Sequence, residues 1–124
     1  MSRRDDLTRL RHMHGAAGEA LTFVAGKGRG GLDQDRMLTL ALLKFVEIIG
    51  EAASKISQAL RDSWPEVPWA DIIGMRHRLM HSYSEVNLEI LWEAVTGDLP
   101  SLIDALEIMV EPTSWETGMQ TQQQ

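Results

Sequence analysis

Apolar residues recur at alternating spacings of three and four along most of this chain, and this pattern constrains the fold more than any other feature. Such spacing places apolar side chains on one face of an α-helix, whereas a half-buried strand alternates at every second residue. No window of the sequence shows that alternation over any length. The chain is therefore predicted to be all-α, an up-and-down bundle of four or five helices.

The first two helices are predicted in the N-terminal half. One covers about Arg3 to Val24, and the second covers about Asp33 to Leu60, with Asp33 as a candidate N-terminal cap. Gly50 lies inside the second helix, where glycine costs about 1 kcal/mol relative to alanine. We therefore expect another backbone or a ligand to approach the helix closely at Gly50.

Two further helices are predicted after a proline-rich turn. Pro68 suits the first position of the third helix, because a proline there needs no backbone N–H partner. Ser84 or Asn87 can cap the last helix, which Gly97 and Pro100 should kink.

The length of 124 residues fits one compact helical domain, predicted at residues 1–111. The polar segment 112–124 is predicted to be a disordered tail. The chain has no cysteine and no apolar stretch of the roughly 20 residues that a membrane span requires. We expect a cytoplasmic protein without a membrane partner.

The charge is distributed unevenly. Twelve cations and ten acids up to Arg78 give +2, and the eight acids after Arg78 give −8. A net charge of −6 argues against a general nucleic-acid binder. If the chain contacts phosphate, the contacts should come from the first two thirds or from the segment described next.

The segment from Ile72 to Tyr83 concentrates reactive side chains. Arg76 offers a planar fork of donors for phosphate, His81 can move protons near neutral pH, and Tyr83 adds a hydroxyl. On an ideal helix Arg76 and Tyr83 differ by about 20°, but His81 is displaced from Arg76 by about 140°. Either the helix loosens near Met80 to Ser82, or a second subunit completes the site.

Other groupings are open at this point. His77 and His81 are four residues apart, a spacing that can hold a metal on one helical face. Glu47 and Glu51 are also four apart, and they could hold a cation, orient Arg76 or face solvent. The carboxylate pattern of helical metal sites is absent, so no metal site is predicted.

The chain resembles the HepT-like toxins of the HEPN superfamily. Their signature, Arg-x4-His-x-Tyr, is matched by Arg76, His81 and Tyr83. The likeness extends over roughly Leu38 to Leu106, with departures at His77 and Ser82. Neither departure removes a side chain of the signature.

The resemblance implies a metal-independent endoribonuclease without a cofactor, the toxin of a type VII toxin–antitoxin pair. It implies a homodimeric bundle in which Arg76, His81 and Tyr83 act on RNA. His77, Glu47 and Glu51 are the implied supporting residues of this site. The implied antitoxin is an MntA-like nucleotidyltransferase that transfers AMP to Tyr83 and so inhibits cleavage.

Two alternatives compete with this interpretation. The chain could be a non-catalytic nucleotide-binding or scaffold dimer of the same superfamily, with Arg76 and His81 kept for binding. It could also be a helical metal hydrolase that uses His77, His81 and the two glutamates. Sensitivity to EDTA separates the metal hydrolase from a metal-independent nuclease.

Overall fold

The computed structural model describes residues 3–82 and 85–111, and at residues 81 and 82 it describes the backbone alone. In chain order, the described residues form α1 (Arg3–Val24), α2 (Gly31–Gln34), α3 (Arg36–Ser54), α4 (Gln58–Ser63), α5 (Trp69–Leu79), β1 (Met80–Ser82), β2 (Glu85–Val86), α6 (Leu88–Glu93), a π-helical turn (Ala94–Asp98) and α7 (Leu99–Val110). The predicted all-α bundle is confirmed. The short antiparallel pair β1–β2 is an addition that the apolar spacing did not predict.

Helices α1 and α3 form the centre of the bundle. α1 packs against α3 and α7, and α3 also packs against α5. The apolar stripes face one another, so that Leu10, Leu42 and Leu106 are fully buried in one core. The first predicted helix is confirmed with its bounds at Arg3 and Val24.

The second predicted helix is shorter than its apolar rhythm indicates. The predicted cap Asp33 is wrong, because the carboxylate of Asp35 accepts the hydrogen bond from the Leu38 amide. The helix ends at Ser54, and a separate helix, α4, begins at Gln58. α1 is therefore the longest α-helix in the described part of the chain.

Helix α3 approaches the backbone of α5 closely at Gly50. A β-carbon at that position would lie 3.2 Å from the carbonyl oxygen of Ile72 and 3.6 Å from that of Ile73. The expected close approach at Gly50 is therefore confirmed, and the approaching group is backbone of α5. The contact fixes the position of α5 along the axis of α3.

The start of α5 and the last helical segment follow the predictions with small changes. Pro68 immediately precedes α5 and occupies its capping position instead of its first turn. Asn87 caps α6, since its side chain accepts a hydrogen bond from the Ile90 amide. The predicted irregularity near Gly97 takes the form of the π-helical turn Ala94–Asp98, and Pro100 lies in the first turn of α7.

Within residues 3–82 and 85–111, no helix has the length and apolar content that would let it cross a membrane. The alternative cap Ser84 and the predicted disordered tail, residues 112–124, lie outside the described residues.

Candidate active site

The sequence segment with the reactive side chains lies where α5 ends. The helix stops at Leu79, and Met80 continues in extended backbone with φ −95° and ψ 117°. β1 then pairs with β2, and the amide of Asn87 donates to the carbonyl of Leu79 at 2.7 Å. The prediction that the helix loosens between Met80 and Ser82 is confirmed.

Arg76 lies in the last turn of α5, on the side that faces α3. Its side chain is 58% exposed, and its Nε lies 3.5 Å from Oε2 of Glu47. An exposed ion pair at this distance contributes little stability, because solvent and salt screen the two charges. The guanidinium is thus placed by α3 while most of its donors stay available to a ligand.

The two candidate supporting glutamates behave differently. Glu47 contacts Arg76 and also lies 3.6 Å from the ammonium of Lys44. Glu51 pairs with Lys55 at 3.2 Å on the same helix. Only Glu47 therefore contacts Arg76 directly, and Glu51 belongs to the exposed surface of α3.

His81 follows Arg76 in a strand instead of on the helix. The backbone of His81 belongs to β1, whereas the orientation of its side chain and all of Tyr83 lie outside the described residues. The catalytic role of His81 and the modification of Tyr83 therefore stay predictions. What the backbone does determine is that His81 is not held at the helical angle to Arg76.

His77 and His81 do not share a helical face. His77 is exposed near the end of α5, but His81 belongs to β1, so the four-residue helical spacing does not apply to the pair. The proposed metal pair is wrong in that respect. Among the described residues, no group of three or more His, Asp or Glu side chains lies close enough to hold a metal ion.

The opposite side of α5 has a different character. Arg78 donates from Nη2 to the backbone carbonyl of Asp71 at 3.2 Å and to Sδ of Met75 at 3.6 Å. Asp71, Met75 and Arg78 line a cavity of about 460 Å³ that α5 forms with the last helical segment and with Val46 and Ile49 of α3. Arg76 is absent from the lining of that cavity.

Residues of α1 extend the Arg76 side in a way that the sequence motif did not indicate. Arg9 and His12 of α1 face Lys44 and Glu47 of α3, and Lys55 directly after α3, across a shallow groove. The lysine and glutamate positions recur on α3 at spacings of three, four and four, a signal visible in the sequence. The contribution of α1 could not be read there, because it depends on how the two helices pack.

Comparisons with known proteins bear on the same segment. The family model described as "Ribonuclease HepT-like" matches residues 13–109, which include α5 and both strands. No solved structure matches the chain significantly.

Three relatives illustrate the likeness. A Methanocaldococcus jannaschii protein provisionally named RNase MJ1380 is 30% identical over 109 residues, which cover 88% of this chain and 100% of the relative. A Caldanaerobacter subterraneus protein provisionally named RNase TTE0752 is 41% identical over 56% of this chain and 62% of its own length. The "Probable ribonuclease HepT" of Thermococcus cleftensis is 38% identical over 55% and 62%, respectively. The chain therefore belongs to the HepT-like ribonuclease family.

Proposed function

We propose that this chain is a metal-independent endoribonuclease that cleaves RNA by attack of a ribose 2′-hydroxyl. The observation that supports this proposal best is the position of Arg76, an exposed guanidinium tethered to Glu47 at the point where α5 gives way to the strand that contains His81. Membership of a ribonuclease family supports it independently.

The chemistry follows from the two side chains. An imidazole nitrogen of His81 removes the proton of the 2′-hydroxyl, and the 2′-oxygen forms a bond to phosphorus. The bond from phosphorus to the 5′-oxygen breaks, and that oxygen takes a proton from an acid. Arg76 stabilises the negative charge that develops on the phosphate oxygens. The products are a 2′,3′-cyclic phosphate and a 5′-hydroxyl.

One imidazole cannot conveniently be base and acid in the same step. A second copy of the chain would supply the acid from its own His81, His77 or Tyr83, so the proposed enzyme is a homodimer. We further propose that Arg76 of one copy acts with His81 of the other at one phosphate.

Cleavage of a single-stranded RNA by the purified protein in EDTA tests the activity. We expect a cyclic-phosphate product from wild type and loss of about 10²-fold to 10⁴-fold in the His81→Ala variant, with an unchanged thermal unfolding midpoint. Activity that persists in His81→Ala, or that needs a metal, would contradict the proposal.

A mixing experiment tests the shared site. Arg76→Ala and His81→Ala homodimers should both be inactive. After unfolding and refolding together, the mixed dimer retains one Arg76 and one His81 on different copies, and we expect partial recovery of cleavage. If a stable mixed dimer forms without any recovery, each copy builds its own site.

The toxin and antitoxin roles are part of the same proposal. A nucleotidyltransferase antitoxin would join the phenol oxygen of Tyr83 to the α-phosphorus of ATP, with release of pyrophosphate and of the phenolic proton. The added phosphate and adenosine would occupy the space beside Arg76 that RNA needs.

Co-expression with a cognate nucleotidyltransferase tests this part. We expect the intact mass to rise by one AMP group, cleavage to fall, and the Tyr83→Phe variant to gain no mass. If the transferase neutralises the nuclease while Tyr83 stays unmodified, inhibition by AMP transfer is refuted.

A further inference from the structure

A groove between α1 and α3 begins beside Arg76. It has a volume of about 380 Å³, and its polar lining residues are Arg9, His12, Lys44, Glu47, Glu51 and Lys55. Glu47 belongs both to the groove and to the ion pair with Arg76. The groove is therefore continuous with the proposed site of phosphate cleavage.

Permanent positive charge exceeds negative charge along this path. Arg9, Lys44 and Lys55 in the groove and Arg76 at its edge face the two carboxylates of Glu47 and Glu51. Lys44 on α3 and Lys55, which caps the C-terminal end of α3, are eleven residues apart, which corresponds to about 16 Å along the helix axis. An extended nucleic-acid strand can span that distance, so one strand can contact both ammonium groups.

The two lysines are only lightly held in the free protein. The ammonium of Lys44 lies 3.6 Å from Glu47 with 64% of its side chain exposed, and that of Lys55 lies 3.2 Å from Glu51 with 53% exposed. Exposed ion pairs of neighbouring helix residues contribute little stability. A phosphate can therefore replace either carboxylate at a small energetic cost.

Two other parts of the surface suit a polyanion less well. Arg29 is held by Asp33 at 2.8 Å and by Glu89 at 2.7 Å. All residues after Arg78 contribute only negative formal charge. Long-range electrostatics thus favour a strand that leaves Arg76 toward α1 and α3.

The geometry points to a binding site for single-stranded RNA in this groove, where Arg9, Lys44 and Lys55 contact phosphates that flank the one beside Arg76. The inference rests on the proposed function for its substrate, and it assigns residues outside the Arg-x4-His-x-Tyr signature to RNA binding. Phosphate contacts of this kind position a strand without reading its sequence.

The test measures binding separately from cleavage. The ligand is a fluorescent single-stranded RNA of about 12 nucleotides whose riboses are 2′-O-methylated, so that no 2′-hydroxyl can attack. Dissociation constants are measured over a range of KCl concentrations for wild type and for the Lys44→Gln/Lys55→Gln double variant. Lys27→Gln/Arg36→Gln is the control, since it removes two exposed positive charges outside the groove.

The logarithm of the association constant falls linearly with log [KCl]. Loss of two phosphate contacts should reduce the steepness of this fall by about 1.4, at about 0.7 for each contact with a single strand. The control variant should keep the slope of wild type. An equal loss of slope in both double variants would reduce the effect to overall charge and overturn the inference.

Three other outcomes are decisive. If Lys44→Gln/Lys55→Gln changes the oligomeric state in solution, the groove is an interface and the inference is wrong. If wild type cleaves RNA while the groove variant keeps its salt slope, the groove assignment fails and the nuclease proposal stands. If the groove variant loses slope but wild type cleaves no RNA, the groove binds RNA and the nuclease proposal fails.

Discussion

The two sides of α5 differ in what they offer a ligand, although they are formed by the same eleven-residue helix. The side facing α3 presents Arg76 to Glu47 and continues into a groove with excess positive charge. The side facing the last helical segment presents Arg78 to a cavity whose remaining charged lining residues are Glu66, Asp71, Glu93 and Asp98. Arg76 and Arg78 are two residues apart, so packing rather than composition makes one of them a candidate for phosphate.

The largest expected difference in kcat/KM between the two sides is seen when each of these two arginines is replaced in turn by alanine. Arg76→Ala should lower kcat/KM for RNA cleavage by about 10²-fold to 10³-fold, as expected for a donor that stabilises transition-state charge. Arg78→Ala should change kcat/KM by less than about fivefold, because the side chain of Arg78 donates hydrogen bonds to Asp71 and Met75 of α5 itself and not to the Glu47 side. Equal losses in the two variants would show that the sides of α5 are not functionally distinct.

The contact that holds α5 against α3 can be tested at Gly50. Gly50→Ala should lower the free energy of unfolding by about 1–3 kcal/mol, because its β-carbon would press on the backbone carbonyl of Ile72. The gain in helix propensity, at most about 1 kcal/mol, opposes this loss.

Gly74→Ala is the matched control for Gly50→Ala. Gly74 lies in α5, and a β-carbon there would meet nothing within 4 Å. It should raise the free energy of unfolding by about 0.5–1 kcal/mol. Chemical denaturation measures both variants, and a stable Gly50→Ala protein would mean that the two helices can separate without cost.

Helix α6, which follows the two strands, is stabilised at its start by the Asn87 cap. Asn87→Ala should destabilise the protein by about 1 kcal/mol, since the Ile90 amide loses its acceptor. Asn87→Asp keeps an acceptor and should retain most of the stability. Thermal unfolding checks both, and equal destabilisation by the two substitutions would exclude capping as the reason.

The smallest expected effect concerns the orientation of Arg76. Glu47→Gln should lower kcat by about 1.4-fold to 5-fold, the equivalent of about 0.2–1 kcal/mol for an exposed ion pair. KM should not rise, because removing a carboxylate does not weaken the binding of an anion. Glu51→Gln should leave kcat unchanged, since Glu51 pairs with Lys55 instead. A rise in KM without a change in kcat would refute a positioning role for Glu47.

Local spacing predicted the helices well but not all of their ends. The apolar rhythm of α3 continues into Ile56, which is buried, although the α-helix has already ended at Ser54. The chain just after this helix end is held by a contact 51 residues away in the sequence. The carboxylate of Asp6 accepts hydrogen bonds from the amide of Ser57 at 2.9 Å and from its hydroxyl at 2.6 Å. A bond between α1 and the start of α4 cannot be read from a local window.

The candidate site was predicted unevenly for a similar reason. The residue types of Arg76 and His81 are visible in the sequence, whereas the break in the helix between them was one of two explanations that the sequence left open. Arg76 pairs with Glu47 and not with Glu51 because of the position of α5 along the axis of α3. The contact at Gly50 fixes that position. The sequence predicted a close approach at Gly50 but did not show that α5 makes it.

The sequence by itself determined the helical class, most of the helices and the signature that places the chain in a ribonuclease family. These properties depend on residue identity and on spacing over a few turns, which a linear chain encodes directly. Only the tertiary structure decided which side of α5 meets α3 and which cations of α1 and α3 face one another. Those arrangements arise when distant apolar stripes are buried together, because burial then fixes the positions of the polar groups beside them.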